Sequence, residues 1–212
     1  MIKVIIFDMD GTLADTQPLQ YKAYKKAFVE YGYDLTQDSW KEVVHNSWGA
    51  DMIIKKMGWQ LDPIEIKLKK GLIYDKIIKN EVELKEGAND IINYSLQKYR
   101  LCLASASTDK DIQAVMDKFK LTAKFEQLIS DTSVKRVKPF PDVFLKASKL
   151  MGVSPNECLV IEDSIAGLKS AKSAGMKCII CPDKPYRKPL SSYEGADHIV
   201  DSLLDIISLK LI

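Results

Sequence analysis

Short β-branched runs alternating with longer amphipathic stretches constrain this 212-residue chain more than any other feature. Val4 to Phe7, Leu101 to Ala104, Leu128 to Ser130, Leu159 to Glu162, Cys178 to Cys181 and His198 to Val200 read as strands. Ala88 to Lys98, Asp109 to Phe119, Pro141 to Met151 and Ser164 to Ala174 carry apolar residues at helical spacing. Ser154-Pro155-Asn156-Glu157 is a helix-start signature and predicts a short turn before its strand. Parallel strands need a crossover between them, so this alternation predicts an α/β fold with a Rossmann-like parallel sheet covered by helices.

Residues 18–86 break the pattern. No strand is apparent there, and Ile64, Leu68, Leu72, Ile73 and Ile77 recur at helical spacing. We expect an all-helical insertion after the first strand and its acidic loop, ending near Gly87, whose flexibility suits a hinge. Residues 1–15 and 88–212 would then form a discontinuous core, and 16–87 a helical domain. Trp40, Trp48 and Trp59 lie in the insertion, and core packing explains at least two of them.

The 46% hydrophobic content is enough for a full core, and a net charge of +2 without a basic stripe argues against nucleic acid as a partner. Val4 to Phe7 is too short for a signal-peptide core or a membrane span, so a cytoplasmic protein that engages no membrane is expected; we also expect a monomer. Cys102, Cys158 and Cys178 fall in apolar, strand-like runs, where thiols pack as small hydrophobes. Cys178 and Cys181 have redox-pair spacing, but no second such pair accompanies them and the chain has only two histidines, His45 and His198.

In open α/β sheets ligands bind beyond the carboxyl ends of the strands. Asp8 and Asp10 follow the first predicted strand, Ser105 the second, and Glu162 and Asp163 close the fourth, while Lys138 sits in "VKPFPD" ahead of a helix. One crevice cannot hold so many acids unaided. Carboxylate oxygens suit a hard divalent cation, so Mg²⁺ is expected, with Asp8, Asp163 and Glu162 as side-chain ligands. A dianionic phosphate touching a carboxylate would meet repulsion of about 10 kcal/mol at an effective dielectric near 20, which the cation and Lys138 could cancel.

"DMDGTLADT", "LASAS", "VKPFPD" and "IEDSIAG", in that order, resemble the four signature motifs of the haloacid dehalogenase superfamily, in its branch with a helical cap inserted after the first motif. The likeness covers essentially the whole chain. It implies that Asp8 is a nucleophile forming an aspartyl-phosphate and that Asp10 is the general acid and base, its carbonyl also ligating Mg²⁺. It further implies that Ser105 and the amides of Ala106, Met9 and Asp10 hold phosphoryl oxygens while Lys138 neutralises developing charge. Gly11 permits the turn after the acids, Thr12 and Asp15 brace it, and Ser164 caps the helix behind Asp163. Asp142 is expected to cap the helix after Lys138 rather than orient the lysine.

Within that branch the motifs leave the phosphoryl acceptor open: water makes a phosphatase, a sugar hydroxyl a mutase. β-Phosphoglucomutases carry a cap arginine for a distal phosphate, whereas the comparable "NSWGADMI" has none, and Arg100, Arg136 and Arg187 all lie outside the cap. Lysine lacks arginine's bidentate fork. The expected activity is therefore Mg²⁺-dependent hydrolysis of a small phosphorylated metabolite such as a sugar phosphate, with a sugar-phosphate mutase as the alternative. A non-catalytic phosphate-binding module fits less well, since Asp10, Lys138 and Asp163 are all retained. The substrate-selecting residues would lie in the cap, where Tyr21, Trp48, Lys55 and Lys76 are candidates.

Overall fold

The computed structural model describes residues 1–212, which divide into two compact units, residues 1–15 with 83–212 and residues 16–82. In the first unit six strands, β1 (Val4–Phe7), β2 (Arg100–Ala104), β3 (Gln127–Ile129), β4 (Cys158–Glu162), β5 (Lys177–Ile180) and β6 (His198–Ile199), form one sheet in the order β3-β2-β1-β4-β5-β6. Every neighbouring pair is parallel. Each strand overlaps the run that predicted it. β1 is buried at all its positions, as a central strand covered on both faces must be.

The register aligns the strand ends. Phe7 pairs with Leu103 on one side and Ile161 on the other, so the next residues, Asp8, Ala104 and Glu162, come level at the carboxyl edge. Order matters here as much as register: β1 is flanked by β2 and β4, so residues some 95 to 150 positions downstream meet its end.

The second unit holds α1 (Gln17–Val29), α2 (Gln37–Asn46), α3 (Ala50–Met57) and α4 (Pro63–Glu81), with no strand. Trp40 is buried and packs on the rings of Tyr21 and Tyr24, while Trp59 packs on Phe28 and Tyr33. Helical spacing alone does not fix the buried face of α4. Ile64, Leu68 and Leu72 are 69%, 66% and 67% exposed, and the buried face of α4 is instead Ile66, Tyr74, Ile77 and Ile78. Residues two apart on a helix lie about 200° around the axis, so both stripes satisfy the spacing, and packing against α1 and α3 selects the second.

The remaining helices belong to the first unit: α5 (Ala88–Ser95), α6 (Asp109–Lys118), α7 (Asp142–Leu150), α8 (Ile165–Ser173) and α9 (Leu203–Ser208). Before β4, Pro155–Glu157 forms one short turn, and the Glu157 carboxylate accepts from the Ser154 N–H at 3.0 Å, closing the expected capping box. Residues 83–87 pair with the core: Asp15 N–H donates to Glu83 O at 2.8 Å and Lys85 N–H to Leu13 O at 2.9 Å. The chain thus crosses between units at Asp15–Thr16 and Val82–Glu83, ahead of Gly87, which opens α5 at φ 79°.

One face of the sheet packs Val4, Ile6, Val160 and Ile180 against Phe144 of α7 and Leu168 of α8. Cys102, Cys158 and Cys178 belong to this same cluster, and all four cysteines are free thiols. Burial pushes the Cys158 thiol up to about 11 and that of Cys181 up to about 12, and it raises Cys102 and Cys178 further. Thiolate is the reactive form. A disulfide reagent at neutral pH is therefore expected to label the folded protein barely at all and all four thiols once denatured.

Candidate active site

The turn after β1 is a backbone construction. Gly11 N–H donates to Ala14 O at 2.9 Å, and the Leu13 and Ala14 N–H groups both donate to Met9 O, at 3.0 and 2.9 Å. Gly11 takes φ 83°, and a Cβ there would stand 2.3 Å from Asp163 Oδ2, so glycine serves both the turn and the approach of the acid. Thr12 does not brace this turn by a hydrogen bond, because its buried hydroxyl has no partner. Asp15 does contribute. Its N–H bonds to Glu83, and its carboxylate lies 3.8 Å from Lys85, which is bonded at 2.6 Å to the buried Asp183.

Lys138 stands at the centre. Its Nζ donates to Asp8 Oδ1 at 2.6 Å, to Glu162 Oε1 at 2.9 Å and to Ala104 O at 3.1 Å, and all three charged side chains are at most 5% exposed. Glu162 is held from the other side as well. Its Oε2 accepts from the Asp163 and Ser164 N–H groups at 2.9 and 2.7 Å and from the Ser164 hydroxyl at 2.9 Å, at the N-terminus of α8. Ser164 caps that helix as expected, accepting from Gly167 N–H at 3.0 Å. A Cβ on Gly167 would fall 1.8 Å from the Glu162 carboxylate, so the glycine makes room for it.

Burial acts on every group in this cluster, and partners decide the outcome. For Glu162, burial is outweighed by the Lys138 charge and the hydrogen bonds, and its carboxyl lies below the ordinary range. Lys138 likewise stays above its ordinary range, the two carboxylates overcoming the penalty of burial. Asp8 goes the other way: burial, joined by the charges of Glu162 and Asp10, pushes it up to about 7 despite Lys138. Asp163 is raised well above the carboxylate range by burial and by the Glu162 and Asp8 charges. One lysine is too little charge for these acids.

A cation fits that imbalance. One ligand oxygen each from Asp8, Glu162 and Asp163 lie within 4.8 Å of one another, a donor set of the kind Mg²⁺ prefers. Both Glu162 oxygens already accept bonds, so Asp8 and Asp163 are the acids whose raised values leave most to gain from a cation.

Asp10, half-buried beside this cluster, is tied instead to the loop that follows β2. Its Oδ2 accepts from the Ser105 hydroxyl at 2.7 Å and from the Ser107 hydroxyl at 2.8 Å. Ser107 escaped the sequence reading, although the Ser105-Ala106-Ser107 alternation carried the signal: Ala106 is exposed while both serines turn inward. Met9 is buried between the two acids. Asp142 needs correcting. It opens α7 without capping it, and its carboxylate accepts from the Arg136 guanidinium at 2.8 and 3.2 Å, because the nearby arginine offers a bidentate partner. Lys138, held by Asp8 and Glu162, is followed by a cis peptide to Pro139.

Residues 5–181 match the family model described as haloacid dehalogenase-like hydrolase. The chain is 31% identical over 210 residues to the YhcW protein of Bacillus subtilis, covering 97% of this chain and 94% of that protein. It is 30% identical over 179 residues to the fructose-1-phosphate phosphatase YqaB of Escherichia coli, covering 82% and 94%. Crystal structures of CbbY from Rhodobacter sphaeroides, with phosphate and, as a mutant, with xylulose-(1,5)bisphosphate, superpose with a TM-score of 0.84 at 27% and 26% identity, covering 97% of this chain and 96% of that one.

The contact between Gly167 and Glu162 predicts a sharp contrast between two glycine substitutions. Gly167→Ala displaces a buried, paired carboxylate and is expected to lower unfolding free energy by about 3 kcal/mol. Gly71→Ala, in α4 with open space around its Cβ, is expected to be neutral or stabilising by up to about 1 kcal/mol. Urea unfolding of the two variants measures both.

Proposed function

This chain belongs to the haloacid dehalogenase-like hydrolase family, and we propose that it is a Mg²⁺-dependent phosphatase acting on a small phosphomonoester of the sugar-phosphate class. The observation that carries this reading is the division of labour between two acids one residue apart. Asp8 is bonded to the buried Lys138, whereas Asp10 accepts from the neutral hydroxyls of Ser105 and Ser107. The first environment suits a nucleophile held beside a counter-charge; the second suits a group that exchanges a proton.

In the proposed reaction an Asp8 oxygen attacks phosphorus in line, the bond from phosphorus to the ester oxygen breaks, and Asp10 delivers its proton to that oxygen. Asp10 then takes a proton from water, the oxygen of which attacks the aspartyl-phosphate and frees Asp8 and inorganic phosphate. Lys138 stays bonded to Asp8 and offsets charge on the phosphoryl oxygens, which Ser105 and the amides of Met9, Asp10 and Ala106 receive. Mg²⁺, held by Asp8, Asp163, the Asp10 carbonyl and Glu162, would supply the remaining positive charge when bound.

Hydrolysis rather than transfer between sugar positions is supported by the arginines. None lies in residues 16–82, and all three are spent in ion pairs of the first unit: Arg100 with Glu126, Arg136 with Asp142 and Arg187 with Asp201. A second phosphate on the substrate would lack its usual bidentate partner. The substrate class is supported by the sugar phosphates in the names of YqaB and of the CbbY complex.

Purified protein is expected to release phosphate from aryl and sugar phosphates with Mg²⁺, to stop when a chelator is added, and to fall to background as Asp8→Asn. Lys138→Ala should reduce kcat by about 100-fold or more. No phosphate release under any of these conditions, or an Asp8→Asn protein as active as the wild type, would remove the reading. Conversion of β-glucose 1-phosphate to glucose 6-phosphate in a coupled assay primed with the bisphosphate would replace it with the mutase.

A further inference from the structure

The contacts around Asp10 go further than the four motifs require. We propose that Ser107 is a positioning residue of the reaction, its hydroxyl holding the Asp10 carboxylate in the orientation from which the proton passes to the ester oxygen. The inference rests on the phosphatase reading and adds to it the residue that sets the acid's geometry.

Two hydroxyls converge on one oxygen. Ser105 and Ser107 both donate to Asp10 Oδ2, at 2.7 and 2.8 Å, so the carboxylate is fixed from two directions rather than swinging on one bond. The donors are themselves held. Ser107 N–H donates to Ser105 Oγ at 2.9 Å, which leaves that hydroxyl's proton directed at Asp10, and Ser107 O accepts from Asp131 N–H at 3.3 Å. Ser107 is 9% exposed, while Ala106 between the serines faces solvent. Residue 107 is thus anchored through its N–H and its carbonyl, with its hydroxyl given to the acid.

The two serines also differ in what else they are asked to do. Ser105 is assigned to the phosphoryl oxygens, so its bond to Asp10 competes with the substrate. Ser107 carries no such assignment, so its bond to Asp10 does not compete with the phosphate. It follows that Ser107 acts through Asp10 on the proton, and not on phosphate binding.

Leaving groups separate this role from a structural one. A p-nitrophenolate departs without a proton, whereas an alkyl or sugar oxygen needs one, and kcat/KM reports the step in which that oxygen leaves. Ser107→Ala is expected to lower kcat/KM about tenfold for a sugar phosphate that the wild type hydrolyses, mainly through kcat, and less than twofold for p-nitrophenyl phosphate. Ser107→Thr, which keeps the donor, should retain the wild-type ratio between the two esters. Equal losses on both esters, no loss on either, or a threonine variant that behaves like alanine would overturn the proposal. Asp8→Asn, assayed alongside, distinguishes this from failure of the phosphatase reading: activity surviving in that variant overturns the reading itself, whatever Ser107 does.

Discussion

A single ammonium, Lys138 Nζ, is shared between the buried carboxylates of Asp8 and Glu162 and the carbonyl at the end of β2. The first unit is arranged around that contact. Removing an ion from water costs several kcal/mol even after relaxation, so such a group persists only where geometry supplies good partners on every side. The protein provides them from three separate strand ends and from the segment leading into α7. The β1–β2 and β1–β4 registers bring Asp8, Ala104 and Glu162 level, and the loop before α7 then needs only to lower one lysine between them.

The same contact makes neighbouring acids unlike each other. Glu162 is satisfied twice, by Lys138 and by the Asp163 and Ser164 amides that lead into α8, and its carboxyl lies below the ordinary range. Asp8 shares the lysine but none of the amides, and Asp163 lies beyond the lysine's hydrogen bonds, so burial raises both. Asp8, Glu162 and Asp163 together offer carboxylate oxygens within 4.8 Å of one another, a set that could hold a cation. Glycine completes it at the two points where the carboxylates approach closest, Gly11 against Asp163 and Gly167 against Glu162.

Much of this was legible in the letters. The six strands and the helices between them followed from β-branched runs and apolar spacing, because both periodicities are local properties of the backbone. Asp8, Glu162 and Asp163 stand out as charges at strand ends and Lys138 as a lysine ahead of a helix, and the structure brings them together. The misses share a cause. The stripe Ile64, Leu68, Leu72 and its buried neighbour on α4 obey the same period, and only packing against another helix separates them. The place of Asp142 at a helix start suits a cap, but Arg136 lies within reach of its carboxylate and takes it. Ser107 has no role legible in the letters, and only its 2.8 Å bond to Asp10 gives it one.

The sequence by itself determined the element types, the parallel sheet, the helical insertion and the chemical kinds of group at each strand end, because these depend on residue type and short spacing. Only the tertiary structure decided how those groups share charge. What a carboxylate can share depends on which lysine, amide or hydroxyl lies within about 3 Å, and those partners come from 95 to 130 residues away, as Ser105 does for Asp10 and Lys138 for Asp8. Chain distance carries no record of such proximity; strand order and register create it.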